Sequence, residues 1–241
     1  GSTLVAGHRM ILEQFRRRFS MLNTGDPKEL EGAGFHLRSD LHLLRKVWHM
    51  GTGIAGLTFY YQSGISALNM AIILVSLSLA SIILEVSRLN IAGLNTLVVK
   101  FMGPFMRESE LKSFSGFPFY ALGSGLALFL FPEKLAVLAI IFLVFGDPIS
   151  ATFGVLYGRD KILPNKSLQG TAAGFISCYL ATLFYGLSFG AGGIALLFFA
   201  VLAGLLGAFS ELISGKIDDN LTIPLISGAG LILLNLLIPI F

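Results

Sequence analysis

Long apolar runs are the feature that most limits how this chain can fold. Residues 66–86 and 192–213 are two of several stretches that approach the 20 or so apolar residues needed to cross a bilayer core. Hydrophobic residues make up 54% of the chain and charged residues only 13%, about half the charged fraction of a typical soluble domain. We therefore predict an all-α fold, a polytopic membrane helix bundle.

The runs predict about seven transmembrane helices, and these define a transmembrane domain at residues 47–241. The third and fourth runs are short, which leaves their ends uncertain. The seven predicted spans are at about 47–62, 66–86, 116–131, 135–150, 169–188, 192–213 and 222–241.

Residues 1–46 form the one long polar part and are predicted to be a cytoplasmic segment. Between Met10 and Met21, apolar residues recur at helical spacing, and Arg16, Arg17 and Arg18 lie between them. This pattern predicts an amphipathic helix on an anionic membrane surface. A solvated helix packed on the protein fits the pattern equally well.

The distribution of basic residues indicates the orientation in the membrane. All Lys and Arg residues except Lys134 fall in residues 1–46 or in the loops 87–115, 151–168 and 214–221. Lys and Arg favour cytoplasmic loops. We therefore predict a multi-pass integral membrane protein whose functional surface faces the cytoplasm.

Two polar clusters lie at the edges of the first two spans. Arg45 and Lys46 are explained by either membrane anchoring or ligand binding, whereas His49 lies a turn inside the span, where an unpartnered polar group is costly. Glu85 and Arg88 are three residues apart on a helix and can form an ion pair. That pair is either structural or part of a site.

The most informative cluster extends from residue 145 to residue 171. Asp147 ends an apolar span, and a carboxylate there suits a divalent cation. Gly154 and Gly158 are spaced for close backbone approach, and the helix that starts after Lys166-Ser167 favours an anion. With the cations Arg159 and Lys161 nearby, the segment predicts a metal–polyphosphate site. Charge that only sets the topology is the alternative.

A fourth cluster comprises Glu211 and the segment Asp218-Asp219-Asn220. The adjacent acids could hold Mg²⁺ or act as a base, and Asp219 or Asn220 could instead cap the last span. The sequence contains no Walker-A loop, dinucleotide fingerprint, zinc-ligand pattern or G-x-S-x-G elbow.

These clusters resemble, over about residues 40–230, the family of dolichol kinases, phytol kinases and CTP-dependent diacylglycerol kinases. The chain is also similar to phosphatidate cytidylyltransferases, but it lacks their Gly-His-Gly-Gly core, and Gln169 replaces a Glu that is usual in the family. The residues that carry the resemblance, in chain order, are Arg45, Lys46, His49, Glu85, Arg88, Gly146, Asp147, Gly154, Gly158, Arg159, Lys161, Lys166, Ser167, Gly170, Glu211, Asp219, Asn220 and Leu221.

The resemblance implies transfer of the γ-phosphoryl group of CTP to the hydroxyl of a membrane lipid alcohol of the polyprenol, phytol or diacylglycerol class. Asp147 and Asp219 are the expected ligands of Mg²⁺ or another divalent cation, with Asp218 in reserve. His49, Glu85 or Asp218 would orient or deprotonate the hydroxyl. The residues expected to bind the nucleotide and metal are Arg45, Lys46, Arg88, Gly146, Ser150, Gly154, Gly158, Arg159, Lys161, Lys166, Ser167, Gly170, Glu211 and Asn220.

Two other functions remain open at this stage: synthesis of a CDP-activated lipid, and a non-enzymatic transporter or scaffold. The expected partners are the lipid bilayer, a nucleoside triphosphate and a lipid alcohol, with a homodimer possible and no nucleic acid.

Overall fold

The structure, a computed structural model, describes residues 38–214 and 217–241. In these ranges the chain forms nine α-helices, one short hairpin, two 3₁₀ turns (Gly103–Phe105 and Glu108–Leu111) and one π-turn (Phe142–Gly146). The α-helices and strands are α1 (Arg38–Ser63), α2 (Ala67–Asn90), α3 (Ala92–Met102), α4 (Phe117–Leu130), α5 (Glu133–Ile141), α6 (Asp147–Tyr157), β1 (Lys161–Leu163), β2 (Lys166–Ser167), α7 (Leu168–Ser188), α8 (Gly193–Ile213) and α9 (Asp219–Leu237).

Five helical segments are long and apolar enough to cross a membrane. They are α2, the continuous stretch Glu133–Tyr157 that contains α5 and α6, α7, α8 and α9. The predicted helical, integral membrane protein is therefore confirmed. The exact number of seven spans stays a prediction. The other two predicted spans fall on α1, which has 26 residues, and on α4, which has only 14. The predicted amphipathic helix lies outside the described residues.

The stretch Glu133–Tyr157 is the central helix of the bundle. In the most apolar 18-residue part of this stretch, 72% is buried, whereas in the corresponding part of α2 only 17% is buried. Its first turns contain apolar residues on every face, which suits a helix surrounded by other helices. The central buried residues are Leu135, Ala136, Val137, Leu138, Ala139, Phe142, Leu143 and Val144.

A π-turn interrupts the central helix one residue before Asp147. Pro148 has no backbone N–H, so it cannot continue the α-helical hydrogen-bond ladder. The N–H of Asp147 instead donates to the carbonyl oxygen of Phe142, five residues back. Such turns occur often at functional sites. Here the turn ends at Gly146, directly before Asp147.

Helices α6 and α7 cross at very short range, and glycines permit the crossing. A Cβ on Gly170 would lie 2.8 Å from the carbonyl oxygen of Ser150 and 3.0 Å from the Cα of Gly154. One turn further along, a Cβ on Gly174 would lie 3.0 Å from the Cβ of Ser150. Small residues allow this backbone contact, as is common where helices pack in a membrane.

A two-stranded antiparallel hairpin, β1 with β2, connects α6 to α7. The all-α prediction missed it because strands of three and two residues show no alternating pattern. Gln169 holds the hairpin: its side-chain oxygen accepts from the N–H groups of Arg159 and Asp160, and its side-chain nitrogen donates to the Asp160 carboxylate at 2.6 Å. Gln169 therefore serves the loop locally.

Candidate active site

Most charged side chains of the described residues gather where α1, α7 and α9 begin and α2 and α8 end. We call this the charged end of the bundle. At the opposite end, the far end, Glu133 accepts a hydrogen bond of 2.6 Å from Tyr60, and the Lys134 ammonium lies 4.5 Å from the centre of the Phe189 ring. The candidate site therefore lies at the charged end.

Asp147 lies at the centre of the charged end, with 7% of its surface exposed. Its carboxyl group is within electrostatic reach of two acids, Asp219 and Glu211, and of two bases, Lys166 and Arg45. Lys46 is a further base within reach of this carboxyl. The structure thus brings together residues from three of the four predicted clusters. These residues lie as much as 174 positions apart in the sequence, from Arg45 to Asp219.

Lys166 and Glu211 form an ion pair across the loop and α8. Lys166 donates to the Oε1 atom of Glu211, while the Oε2 atom is buried and has no hydrogen-bond partner among the described residues. A buried carboxylate oxygen without a partner is costly. Glu211 therefore has one oxygen available for a ligand or cation.

A chain of ion pairs connects α1 to α9 across the turn at 103–116. The Arg45 Nη1 atom lies 3.8 Å from Oε1 of Glu110, which also faces Arg107, and the Arg107 Nη2 atom lies 3.6 Å from Oδ2 of Asp219. Sequence reasoning missed Arg107 and Glu110. The available signal was their three-residue spacing, since the Glu110 carboxylate accepts from the backbone N–H of Arg107 at 3.0 Å and so caps the turn that follows Arg107.

Glu85 and Arg88 form a buried ion pair of 2.6 Å, and their other contacts are structural. Arg88 also donates to the side chain of Asn95 and to the carbonyl oxygens of Glu110 and Ser113. Both carboxyl oxygens of Glu85 accept from Ser115. The pair therefore binds the turn at 103–116 to α2, which favours the structural interpretation; a direct role in catalysis or nucleotide binding stays a prediction.

His49 supports the π-turn. Because the N–H of Asp147 bonds to Phe142, the carbonyl of Leu143 loses its normal helical donor. The Nε2 atom of His49 lies 3.1 Å from that oxygen, and since a carbonyl only accepts, Nε2 carries the proton. The Tyr120 ring packs edge-on against His49, with the ring centres 4.6 Å apart. His49 thus acts on Asp147 through the turn that carries it.

Asp218 is the N-cap of α9, a role that the sequence analysis gave to Asp219 or Asn220. Its Oδ1 atom accepts from the backbone N–H of Asn220 at 3.0 Å and from the side-chain nitrogen of Asn220 at 2.8 Å. Asp219, freed from capping, points to Arg107. Burial, and secondarily the charge of Asp219, raise the pKa of Asp218.

The predicted glycines lie close to protein atoms. Gly146 abuts Cys178, whose Sγ would lie 2.7 Å from an added Cβ, and Gly158 abuts Gly154 and Ser167. Ser167 caps α7 by accepting from the N–H of Gly170, and Ser150 is buried beneath the same crossing. These contacts explain the small residues by packing. Arg159 and Lys161 are exposed beside and on the hairpin. Nucleotide binding by these glycines, serines and basic residues stays a prediction.

The carboxylates at the charged end fit a magnesium ion, although no group of three potential metal ligands occurs among the described residues. Mg²⁺ is usually held by one or two carboxylates together with waters and substrate phosphates. Asp147 and Asp219 are two carboxylates within electrostatic reach of each other, and the unpartnered oxygen of Glu211 is a further hard donor.

Comparison with known proteins identifies the family. The chain is 33% identical over 162 residues to the CTP-dependent diacylglycerol kinase 1 of Schizosaccharomyces pombe, a match that covers 62% of this chain and 74% of the relative. It is 30% identical over 206 residues to the CTP-dependent diacylglycerol kinase 1 of Eremothecium gossypii, covering 76% of this chain and 64% of that relative. The chain belongs to the CTP-dependent diacylglycerol kinase family.

Membership of this family makes the protein a lipid kinase, a phosphotransferase, as the sequence analysis predicted. An uncharacterised protein of Rickettsia prowazekii is 25% identical over 191 residues, covering 77% of this chain and 91% of that protein. No family model and no solved structure matches the chain. The similarity to dolichol kinases, phytol kinases and cytidylyltransferases stays a prediction.

Proposed function

We propose that this kinase transfers the γ-phosphoryl group of CTP to the free hydroxyl of diacylglycerol, in a site built around Asp147. The observation that carries the proposal is the buried Asp147 carboxyl, which lies among acids and bases at the charged end of a chain from this family. Both fungal relatives are named for this activity. Diacylglycerol is therefore preferred over polyprenol or phytol as the acceptor.

The acids and bases have complementary roles in the proposal. Asp147 and Asp219 hold Mg²⁺, which when bound neutralises charge on the phosphates. Arg45, Lys46 and Lys166 lie within electrostatic reach of Asp147 and face the triphosphate oxygens. Phosphoryl transfer needs positioning and charge neutralisation more than covalent help from the protein, so this set of side chains is sufficient.

The proposed step forms one bond and breaks one. The diacylglycerol hydroxyl oxygen attacks the γ-phosphorus, the bond between that phosphorus and the β–γ bridging oxygen breaks, and CDP leaves. The hydroxyl proton passes to a carboxylate. Asp218 is the preferred acceptor because Oδ2 lies outside its cap hydrogen bonds, whereas both oxygens of Glu85 and the Nε2 atom of His49 are engaged. His49 is a positioning residue in this proposal.

The charged end faces the cytoplasm in this proposal, where CTP is available. The support is the placement of every basic residue except Lys134 in alternate loops. Diacylglycerol then enters laterally, with its chains in the bilayer and its hydroxyl at the charged end.

Labelled CTP tests the reaction type. With purified protein, Mg²⁺ and diacylglycerol, label from the γ-phosphate is expected in the lipid fraction, and label from the α-phosphate is expected to stay in CDP. Polyprenol and phytol serve as competing acceptors. Transfer of the α-label with release of pyrophosphate would instead show a cytidylyltransferase, and no transfer to any acceptor would favour the scaffold.

Asp218 variants separate the base from the helix cap. Asparagine can still cap α9, so Asp218→Asn is expected to keep thermal stability and to lower kcat about 100-fold, which is within the usual effect of removing a general base. Asp218→Ala is expected to lose the same activity and about 1 kcal/mol of stability. Measured kcat and Tm distinguish the two roles. An active Asp218→Asn enzyme would leave Asp218 as a cap alone.

A further inference from the structure

A groove of about 400 Å³ lies between α1 and the central helix, outside the charged end. Its lining is mainly apolar, and the lining residues with polar side chains are Thr58, Tyr61 and Gln62. The lining residues are Ile54, Leu57, Thr58, Tyr61 and Gln62 of α1, Ile141 of α5 and Phe145 of the π-turn.

The lining follows one face of α1. From Ile54 to Gln62, the residues recur three or four positions apart, the spacing of a single helical face. At 1.5 Å per residue this face is about 12 Å long. Half of a bilayer's hydrocarbon core is about 15 Å thick. The groove therefore has most of the length that a lipid chain occupies in one leaflet.

One end of the groove lies near the level of the candidate site along the central helix. Phe145 is two residues from Asp147, and the π-turn that contains Phe145 is held by His49 of α1. This end of the groove therefore lies about 3 Å along the helix axis from the level of Asp147.

The other end of the groove is bounded by tyrosines. The hydroxyl groups of Tyr61 and Tyr185 lie 3.3 Å apart and connect α1 to α7. Beside them, Tyr60 donates to Glu133 at the start of α5. These contacts hold the C-terminal half of α1 near the bundle, so both walls of the groove are fixed by hydrogen bonds at the far end and by His49 near the site.

We infer that this groove seats one acyl chain of the lipid substrate and so positions the hydroxyl at Asp147. The inference rests on the proposed function, since it takes the acceptor to be an acyl lipid. Moving a chain from bilayer to groove gains little hydrophobic free energy, because lipid tails and apolar side chains are equally apolar. The groove therefore contributes orientation of the reacting group.

A tryptophan at position 58 tests the inference in the full chain. Thr58 lines the groove and is exposed in it. Thr58→Trp is expected to lower kcat/KM for dioleoylglycerol about tenfold through misplacement of the hydroxyl, and to change kcat/KM for dihexanoylglycerol less than twofold because a six-carbon chain ends above Thr58. The KM for CTP is expected to stay constant.

Ala55→Trp is the matched control, since Ala55 is exposed on α1 outside the groove lining. It is expected to leave both lipid substrates unaffected. Equal loss for the long and short substrates with Thr58→Trp, or no loss for either, would overturn the inference.

Photo-crosslinking of the unmodified protein gives a second, activity-independent measurement. Diacylglycerol with a diazirine in the middle of one chain is expected to label peptides that contain Ile54 or Phe145 at least about fivefold above the exposed apolar face of α7. Even labelling of all apolar helices would contradict a seated chain. If wild-type protein phosphorylates no diacylglycerol, the proposed function fails, and this labelling pattern still decides whether the groove holds an acyl chain.

Discussion

Asp147→Asn is expected to reduce kcat at least about 100-fold while the protein still folds, a loss of about 2.7 kcal/mol in transition-state stabilisation. The carboxyl is buried and lies within electrostatic reach of Asp219, Glu211 and two bases, so its charge acts on any metal–triphosphate complex bound there. Asparagine keeps the size of the side chain and removes the charge. Steady-state kinetics with CTP and diacylglycerol, and Tm in detergent, measure the two effects.

Asp160→Asn is the matched control for this experiment. Asp160 lies exposed on the hairpin and bonds only to Gln169 among its side-chain partners in the described residues. Its replacement is expected to change kcat less than threefold. Near-normal turnover of Asp147→Asn would remove Asp147 from the site, and with it the observation that carries the proposed function.

Arg88→Met is expected to cost about 3–5 kcal/mol of stability, because it leaves the buried Glu85 carboxylate without its cation. The guanidinium is fully buried and also satisfies two carbonyl oxygens of the turn at 103–116. Loss of this turn would also disturb Arg107 and Glu110. Thermal unfolding in detergent measures the change in stability, and kinetics at a temperature where the variant is folded measure activity.

The double variant Glu85→Gln/Arg88→Met distinguishes a structural pair from a catalytic one. Removal of both charges is expected to recover part of the lost stability, with the remainder due to the carbonyls that Arg88 no longer reaches. The Arg107 side chain is 35% exposed. Arg107→Met is therefore expected to lower stability far less than Arg88→Met does. A stable Arg88→Met protein that fails to bind CTP would show that Arg88 serves the nucleotide.

Much of the membrane architecture could be predicted from the sequence because bilayer physics acts on local composition. The runs at 66–86, 169–188 and 192–213 correspond closely to α2, α7 and α8. Asp147 was identified for the same reason, since a carboxylate at the end of an apolar run is unusual whatever lies around it. Lys166 and Glu211 were also singled out separately by their positions at span edges.

The partners of these residues depended on the three-dimensional packing. The pairs Lys166–Glu211 and Arg107–Asp219 join segments 45 or more positions apart, and Asp218 took the cap that frees Asp219 for its partner. The glycines at 154 and 158 could be recognised as sites of close approach, but the atoms they approach belong to the protein itself. The spacing of glycines in a sequence does not show whether a ligand or another helix approaches them.

By itself, the sequence determined that the chain enters a membrane as helices and that its charges gather at alternate loops, because burial of apolar runs in lipid and placement of charge in water depend on each segment separately. Only the tertiary structure decided that His49 supports the π-turn, that Arg88 anchors the turn beside the site and that α1 stands off far enough to leave a groove. Those features arise from contacts between residues far apart in the sequence. Such contacts depend on how the helices pack, and the spacing of residues within one segment does not specify that packing.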